Sequence, residues 1–125
     1  MLDPIYDLLD RGGKRWRPSL GLVFAEIFGR DIKNVDQNMD IYYSCGLTEI
    51  VHNGSLMVDD VEDRSLMRRG QPCTHIKFGV DYAVNAGNFM YFVPISKVDK
   101  FIKDEKKQFL LTKIFHEELV NIHIG

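Results

Sequence analysis

The chain has 125 residues, of which 45% are apolar and 27% charged, the balance of one soluble globular domain with its own core. A formal net charge of −2 argues against a nucleic-acid binder that works through bulk charge, and no run of eighteen apolar residues is present to span a membrane. The two cysteines, Cys45 and Cys73, lack metal or redox spacing, and Met1-Leu2-Asp3-Pro4 has no basic n-region; the expectation is a single-domain cytoplasmic protein with reduced thiols.

In chain order, Gly12-Gly13 and Pro18 punctuate the start. Leu20, Val23, Phe24, Ile27 and Phe28 then recur at helical spacing, and Gly29 closes that segment. Asp31 to Asn38 is polar and reads as a loop. A long helical pattern runs from Asp36 to Asp63 through Met39, Tyr42, Tyr43, Leu47, Ile50, Val51 and Leu56. Gly46 and Gly54 are small positions inside it, signs of close packing or a bend. Arg64 to Pro72 is a loop by composition. Asp81 to Val93 is helical and meets Pro94, which kinks it or opens the next element. Asp104 to Ile124 is the last helix, with Phe109, Leu110, Ile114, Phe115, Leu119 and Ile122 at core positions. No segment sustains period-two alternation, so the fold class is all-α.

The chemistry concentrates at Asp59-Asp60-Val61-Glu62-Asp63, where five residues carry four carboxylates. At about 100° per residue, Asp59 and Asp63 lie within about 40° of each other on the helix. Like charges so placed repel by about 0.2–0.5 kcal/mol and sit at the unfavourable end of the helix dipole. A hard divalent cation such as Mg²⁺ would offset both costs. The bland alternative is a solvated acidic helix end. His52 stands two turns before Asp59 on the same face, with Ser55 and Leu56 in the same arc. By itself it reads equally as a packed or surface histidine.

Cations flank the acids. Arg68-Arg69-Gly70 follows them, and Gly12-Gly13-Lys14-Arg15-Trp16-Arg17-Pro18 precedes them. Arginine forks suit diphosphates through paired, charge-assisted hydrogen bonds. Each cluster alone reads as a solvated basic loop, and the upstream one is not a P-loop. Together they imply two anion sites: one diphosphate held by metal on the acids, and one held directly by the cations.

These residues resemble the trans-isoprenyl diphosphate synthase family. The likeness is carried by Gly12-Gly13-Lys14-Arg15-x-Arg17-Pro18, by His52-Asn53-x-Ser55-Leu56-x-x-Asp59-Asp60-x-Glu62-Asp63, by Arg68-Arg69-Gly70-x-Pro72, by His75-x-x-Phe78-Gly79 and by Asn85-Ala86-Gly87-Asn88. Within the family, it is most similar to eukaryotic-type geranylgeranyl diphosphate synthases, in family order from Gly12 to Gly125. The resemblance implies part of an isoprenoid-synthase helical bundle around a central cavity, in a homodimer. It implies head-to-tail prenyl transfer from an allylic diphosphate to isopentenyl diphosphate. Asp59 and Asp63 would bind Mg²⁺ with Asp60 in support, and Arg68 would bind the allylic diphosphate. Lys14, Arg17, His52 and Arg69 would bind isopentenyl diphosphate. Small Gly54 and Ser55, where farnesyl enzymes carry aromatic side chains, would leave the product tunnel open. Tyr91, Phe92 and His123 resemble the length-determining floor, or else pack as ordinary core.

The family's second aspartate-rich motif has no counterpart here, since Asp104-Glu105 and Glu117-Glu118 lack its spacing. The expectation is roughly the first half of a longer enzyme, inactive when isolated. Farnesyl or longer-chain synthesis is the near alternative. A non-catalytic dimerisation or binding module derived from such an enzyme is the distant one.

Overall fold

The structure is a computed structural model, and it describes residues 2–125. Among them run seven α-helices: α1 (Asp3–Asp10), α2 (Trp16–Ile27), α3 (Met39–Glu62), α4 (Thr74–Phe78), α5 (Val80–Phe92), α6 (Val98–Phe101) and α7 (Glu105–Ile124). Short 3₁₀ turns precede α3 and α6. Among the described residues the one ladder is a two-residue antiparallel pair, β1 (Met67–Arg68) with β2 (Gln71–Pro72), within the segment expected to be a loop. Arg69 and Gly70 join its strands with φ of 52° and 75°. Positive φ at both loop positions is what the twist of a tight hairpin requires. Pro94, expected to kink or restart a helix, opens the 3₁₀ turn Ile95–Lys97.

The helix ends follow from local chemistry. Gly29, at φ 83°, ends α2 with its amide on Glu26 O, while the Arg30 amide reaches Ala25 O at 3.0 Å. This is the paired closure that a glycine at the left-handed position allows. Asp104 caps α7 by accepting from the amides of Lys106 and Lys107. α3 ends through the same closure as α2, but Arg64, at φ 53°, stands in the glycine position. The Ser65 amide reaches Asp60 O at 2.9 Å, which turns the chain back along α3.

The core lies between α1, α3 and α5. Ile5, Leu8, Met57, Ala86 and Met90 form its buried cluster. Gly54 and Gly87 make the α3–α5 approach possible: a Cβ on Gly54 would lie 2.8 Å from Gly87 O, and one on Gly87 would lie 2.9 Å from Gly54 O. The close packing read from Gly54 is therefore found.

The sequence reading of α7 is corrected. Its apolar stripe occurs at helical spacing, but α7 buries no residue, and Phe109, Leu110, Ile114 and Ile122 are exposed. α2 buries none either. Periodicity identifies a face that wants covering; it does not say what covers it. α7 is tethered to α3 by the Lys107–Asp40 ion pair at 3.1 Å.

Candidate substrate cavity

The basic segment after α1 and the hairpin after α3 meet at one place. Lys14, Arg15, Arg17, Arg68 and Arg69 line a cavity of about 450 Å³ with His52, Glu49, Leu56, Gly13 and Trp16. All five residues expected to bind diphosphate, Lys14, Arg17, His52, Arg68 and Arg69, therefore line one pocket, brought there from three separate segments of the chain. The end of α1 organises it. Arg15 donates to Leu9 O at 2.7 Å and Arg69 to Leu8 O at 3.2 Å, so two guanidiniums satisfy carbonyls at the negative end of that helix. Arg11 donates to Arg68 O at 3.2 Å and ties the hairpin to α1. A Cβ on Gly13 would lie 3.0 Å from Arg69 Nη2, so the bare backbone there admits the guanidinium.

The cations act on one another. Burial first, and then Arg15, push Arg69 below its ordinary value. Burial first, and then Arg17, hold the His52 imidazole below the ordinary histidine range, while Glu49 pulls it back up. An anion entering the pocket would relieve this crowding.

The acidic pentad divides. Asp60 is 1% exposed and takes Arg68 in a fork, with Nε at 3.0 and 3.1 Å from its two oxygens and Nη2 on Oδ1. Asp60 is the main cause of the raised value of Arg68. Asp60 thus acts on the site through Arg68, which it clamps while Arg68 lines the pocket. Asp59 and Asp63 are exposed and carry no side-chain hydrogen bond or ion pair among the described residues. No group of three or more metal-ligating side chains is assembled among those residues. Two hard carboxylates a turn apart nevertheless fit Mg²⁺ when phosphate oxygens and water complete its shell.

Arg17 and His52 also line a second, mostly apolar cavity of about 500 Å³ between α3 and α7, which includes Ser55 and the α7 residues Ile114 and Phe115. The basic pocket and the apolar one are therefore neighbours that share Arg17 and His52 in their walls. Tyr91, Phe92 and His123 come together in a third cavity of about 540 Å³. There the Tyr91 and His123 rings meet edge-on with centroids 5.5 Å apart. Leu119 lines both apolar cavities. Gly54 lines neither and lies in the α3–α5 contact. Sequence reasoning missed Glu49, the one carboxylate among the pocket's lining residues, although it stands three residues before His52 on the same helical face.

A helical wall with a cationic pocket, an adjoining apolar cavity and an exposed carboxylate pair defines a class, and the polyprenyl synthetase family profile matches residues 1–125. The chain belongs to the polyprenyl synthetase family, the membership its motifs resemble. It is 33% identical over 98% of its length to a geranylgeranyl pyrophosphate synthase of Eremothecium gossypii. A geranylgeranyl pyrophosphate synthase of Fusarium fujikuroi is 43% identical over 61% of the chain. A crystal structure of an isoprenoid synthase family member from Thermotoga neapolitana superposes with a TM-score of 0.75 at 26% identity, covering 94% of this chain and 44% of that one. The chain spans 37% of the Eremothecium protein's length and 17% of the Fusarium protein's. No helix among the described residues is long and apolar enough to cross a membrane.

Proposed function

We propose that this chain supplies one wall of a Mg²⁺-dependent prenyltransferase that condenses an allylic diphosphate with isopentenyl diphosphate to give geranylgeranyl diphosphate. The observation that carries the reading is the shared lining: Arg17 and His52 bound both the cationic pocket and the apolar cavity beside it. A molecule with a doubly charged head and a hydrocarbon tail fits such a junction. Lys14, Arg17, His52 and Arg69 hold isopentenyl diphosphate. Asp59 and Asp63 hold the Mg²⁺ that carries the allylic diphosphate, and Arg68, aimed by Asp60, donates to the same group. Bound Mg²⁺ would neutralise charge growing on the departing diphosphate. Arg68 adds fixed donors to that charge, which stabilise it most where water is excluded.

Ser55 keeps the upper tunnel open, and Tyr91, Phe92 and His123 form its floor. Gly54 contributes indirectly by letting α5, and Tyr91 on it, come close. The working enzyme is a homodimer. The 125 residues alone are expected to turn over little, because α2 and α7 leave the apolar wall open to water.

The test is to incubate the enzyme with isopentenyl diphosphate, each allylic diphosphate and Mg²⁺, and to size the products. Products no longer than farnesyl would defeat the chain-length reading. Asp59→Ala and Asp63→Ala are expected to abolish turnover and Asp104→Ala to spare it; equal loss at Asp104 would defeat the metal assignment.

A further inference from the structure

The cationic pocket contains a negative charge that the diphosphate reading does not use. Glu49 is 6% exposed and faces a cavity lined by five cationic side chains, of which Arg15, Arg68 and Arg69 are held by hydrogen bonds. Its carboxylate lies 3.5 Å from Arg15 Nη1 and accepts from Asn53 Nδ2 at 3.0 Å. Asn53 also donates to the Glu49 carbonyl at 2.7 Å, so backbone and side chain of one turn are cross-braced and the carboxylate is held in place. Arg15 is fixed from its other side by Leu9 O.

A buried carboxylate facing an anion site has a cost whenever an anion is bound, because the two like charges repel in a partly desolvated space. It has a benefit when the site is empty, because it offsets cations that would otherwise repel one another unscreened. We propose that Glu49 is the built-in counterion of this pocket: a positioning residue that occupies Arg15, balances the cations of the empty site, and limits how tightly a diphosphate is held. An enzyme that releases diphosphate-bearing products at each turnover gains from such a limit. The proposal rests on reading the pocket as a diphosphate site.

The experiment uses inorganic pyrophosphate as the probe, titrated calorimetrically into the wild-type protein and into Glu49→Gln. Glutamine is nearly isosteric and can still accept from Asn53. The variant is expected to bind pyrophosphate roughly fivefold tighter or more, the effect of removing one full like charge at short range. A second readout separates charge from packing. The groups facing the His52 ring are Arg17 of α2, Glu49 of α3, and Arg68 and Arg69 of the hairpin. The NMR titration midpoint of His52 should therefore fall in Glu49→Gln, a change that a purely structural role would not produce. If Glu49→Gln does not fold, Glu49→Met removes the same charge while Asn53 keeps its bond to the Glu49 carbonyl, and it is judged by the same two readouts. Unchanged or weaker pyrophosphate binding in a folded neutral variant, or an unmoved His52 midpoint, overturns the proposal alone. Wild-type protein that binds no pyrophosphate overturns the diphosphate reading of the pocket, and this inference with it.

Discussion

The two halves of this molecule follow different rules. α1, α3, α5 and the hairpin form a packed half in which Leu8, Met57, Asn53 and Asp60 are almost wholly out of solvent. α2 and α7 form an open half with no buried residue and a series of exposed apolar side chains. Three of the pocket's five cations are anchored by the packed half, whereas Arg17 stands on α2. Arg68, Arg69 and Arg15 are pinned by the packed half through Asp60, Leu8 O and Leu9 O. The apolar cavity is walled on one side by α7, which buries no residue and is tied to α3 by the Lys107–Asp40 ion pair. Under the proposed reading, three of the charge-recognising side chains are held by the packed half, and part of the hydrocarbon wall comes from a helix with no buried residue.

Substitutions can test that division. The largest effect is expected at the helix crossing. Gly54→Val would drive side-chain atoms into the Gly87 carbonyl and Met90 Cβ, and should cost about 3 kcal/mol in denaturant unfolding. A loss below about 1 kcal/mol would mean that the packed half is not rigid. Next is Asp60→Ala. It leaves Arg68 without its fork, and because that side chain is 30% exposed the loss is discounted to about 2 kcal/mol. Pyrophosphate affinity should fall with it as Arg68 loses its aim; unchanged affinity would separate the clamp from the site.

The third test uses pH. Burial and Arg17 depress His52, so the folded protein binds its proton less readily than the unfolded chain. The His52 contribution to stability is therefore complete above the unfolded value and is lost as pH falls through the depressed one. His52→Gln should flatten the stability profile of the empty protein on the acid side of neutrality. An unchanged slope would show that the depression is absent. The smallest effect belongs to the open half: Ile114→Ser should change the stability of this chain by less than about 0.5 kcal/mol. A loss of several kcal/mol would show that α7 is packed after all.

Much of the fold could be read in the sequence, for reasons that also explain the misses. α2, α3, α5 and α7 are long enough for a 3.6-residue period to repeat, and Gly29 and Pro94 mark real boundaries. α1 has only eight residues and α4 five, too few turns for a period to stand out, although Ile5, Leu8 and Leu9 sit at helical spacing. The hairpin loop is Arg69-Gly70 rather than the commoner asparagine-glycine, so composition suggested only a loop. The candidate site residues stood out one by one. Their convergence did not, because Arg68 reaches back to Asp60 only after the left-handed turn at Arg64, and nothing in the local sequence signals that reversal. Glu49 went unread because an acid among cations looks like ordinary surface charge until its burial is known.

The Gly54–Gly87 contact has one more consequence. It lies five residues before Asp59 on α3 and four before Tyr91 on α5, and so locks the two helices at a fixed separation. In the proposed reaction, chain growth starts at Asp59 and is measured at Tyr91. Start and stop are then marks on a single ruler that cannot stretch. Under that reading, variation in product length would come from the α7 side of the cavity, which buries no residue.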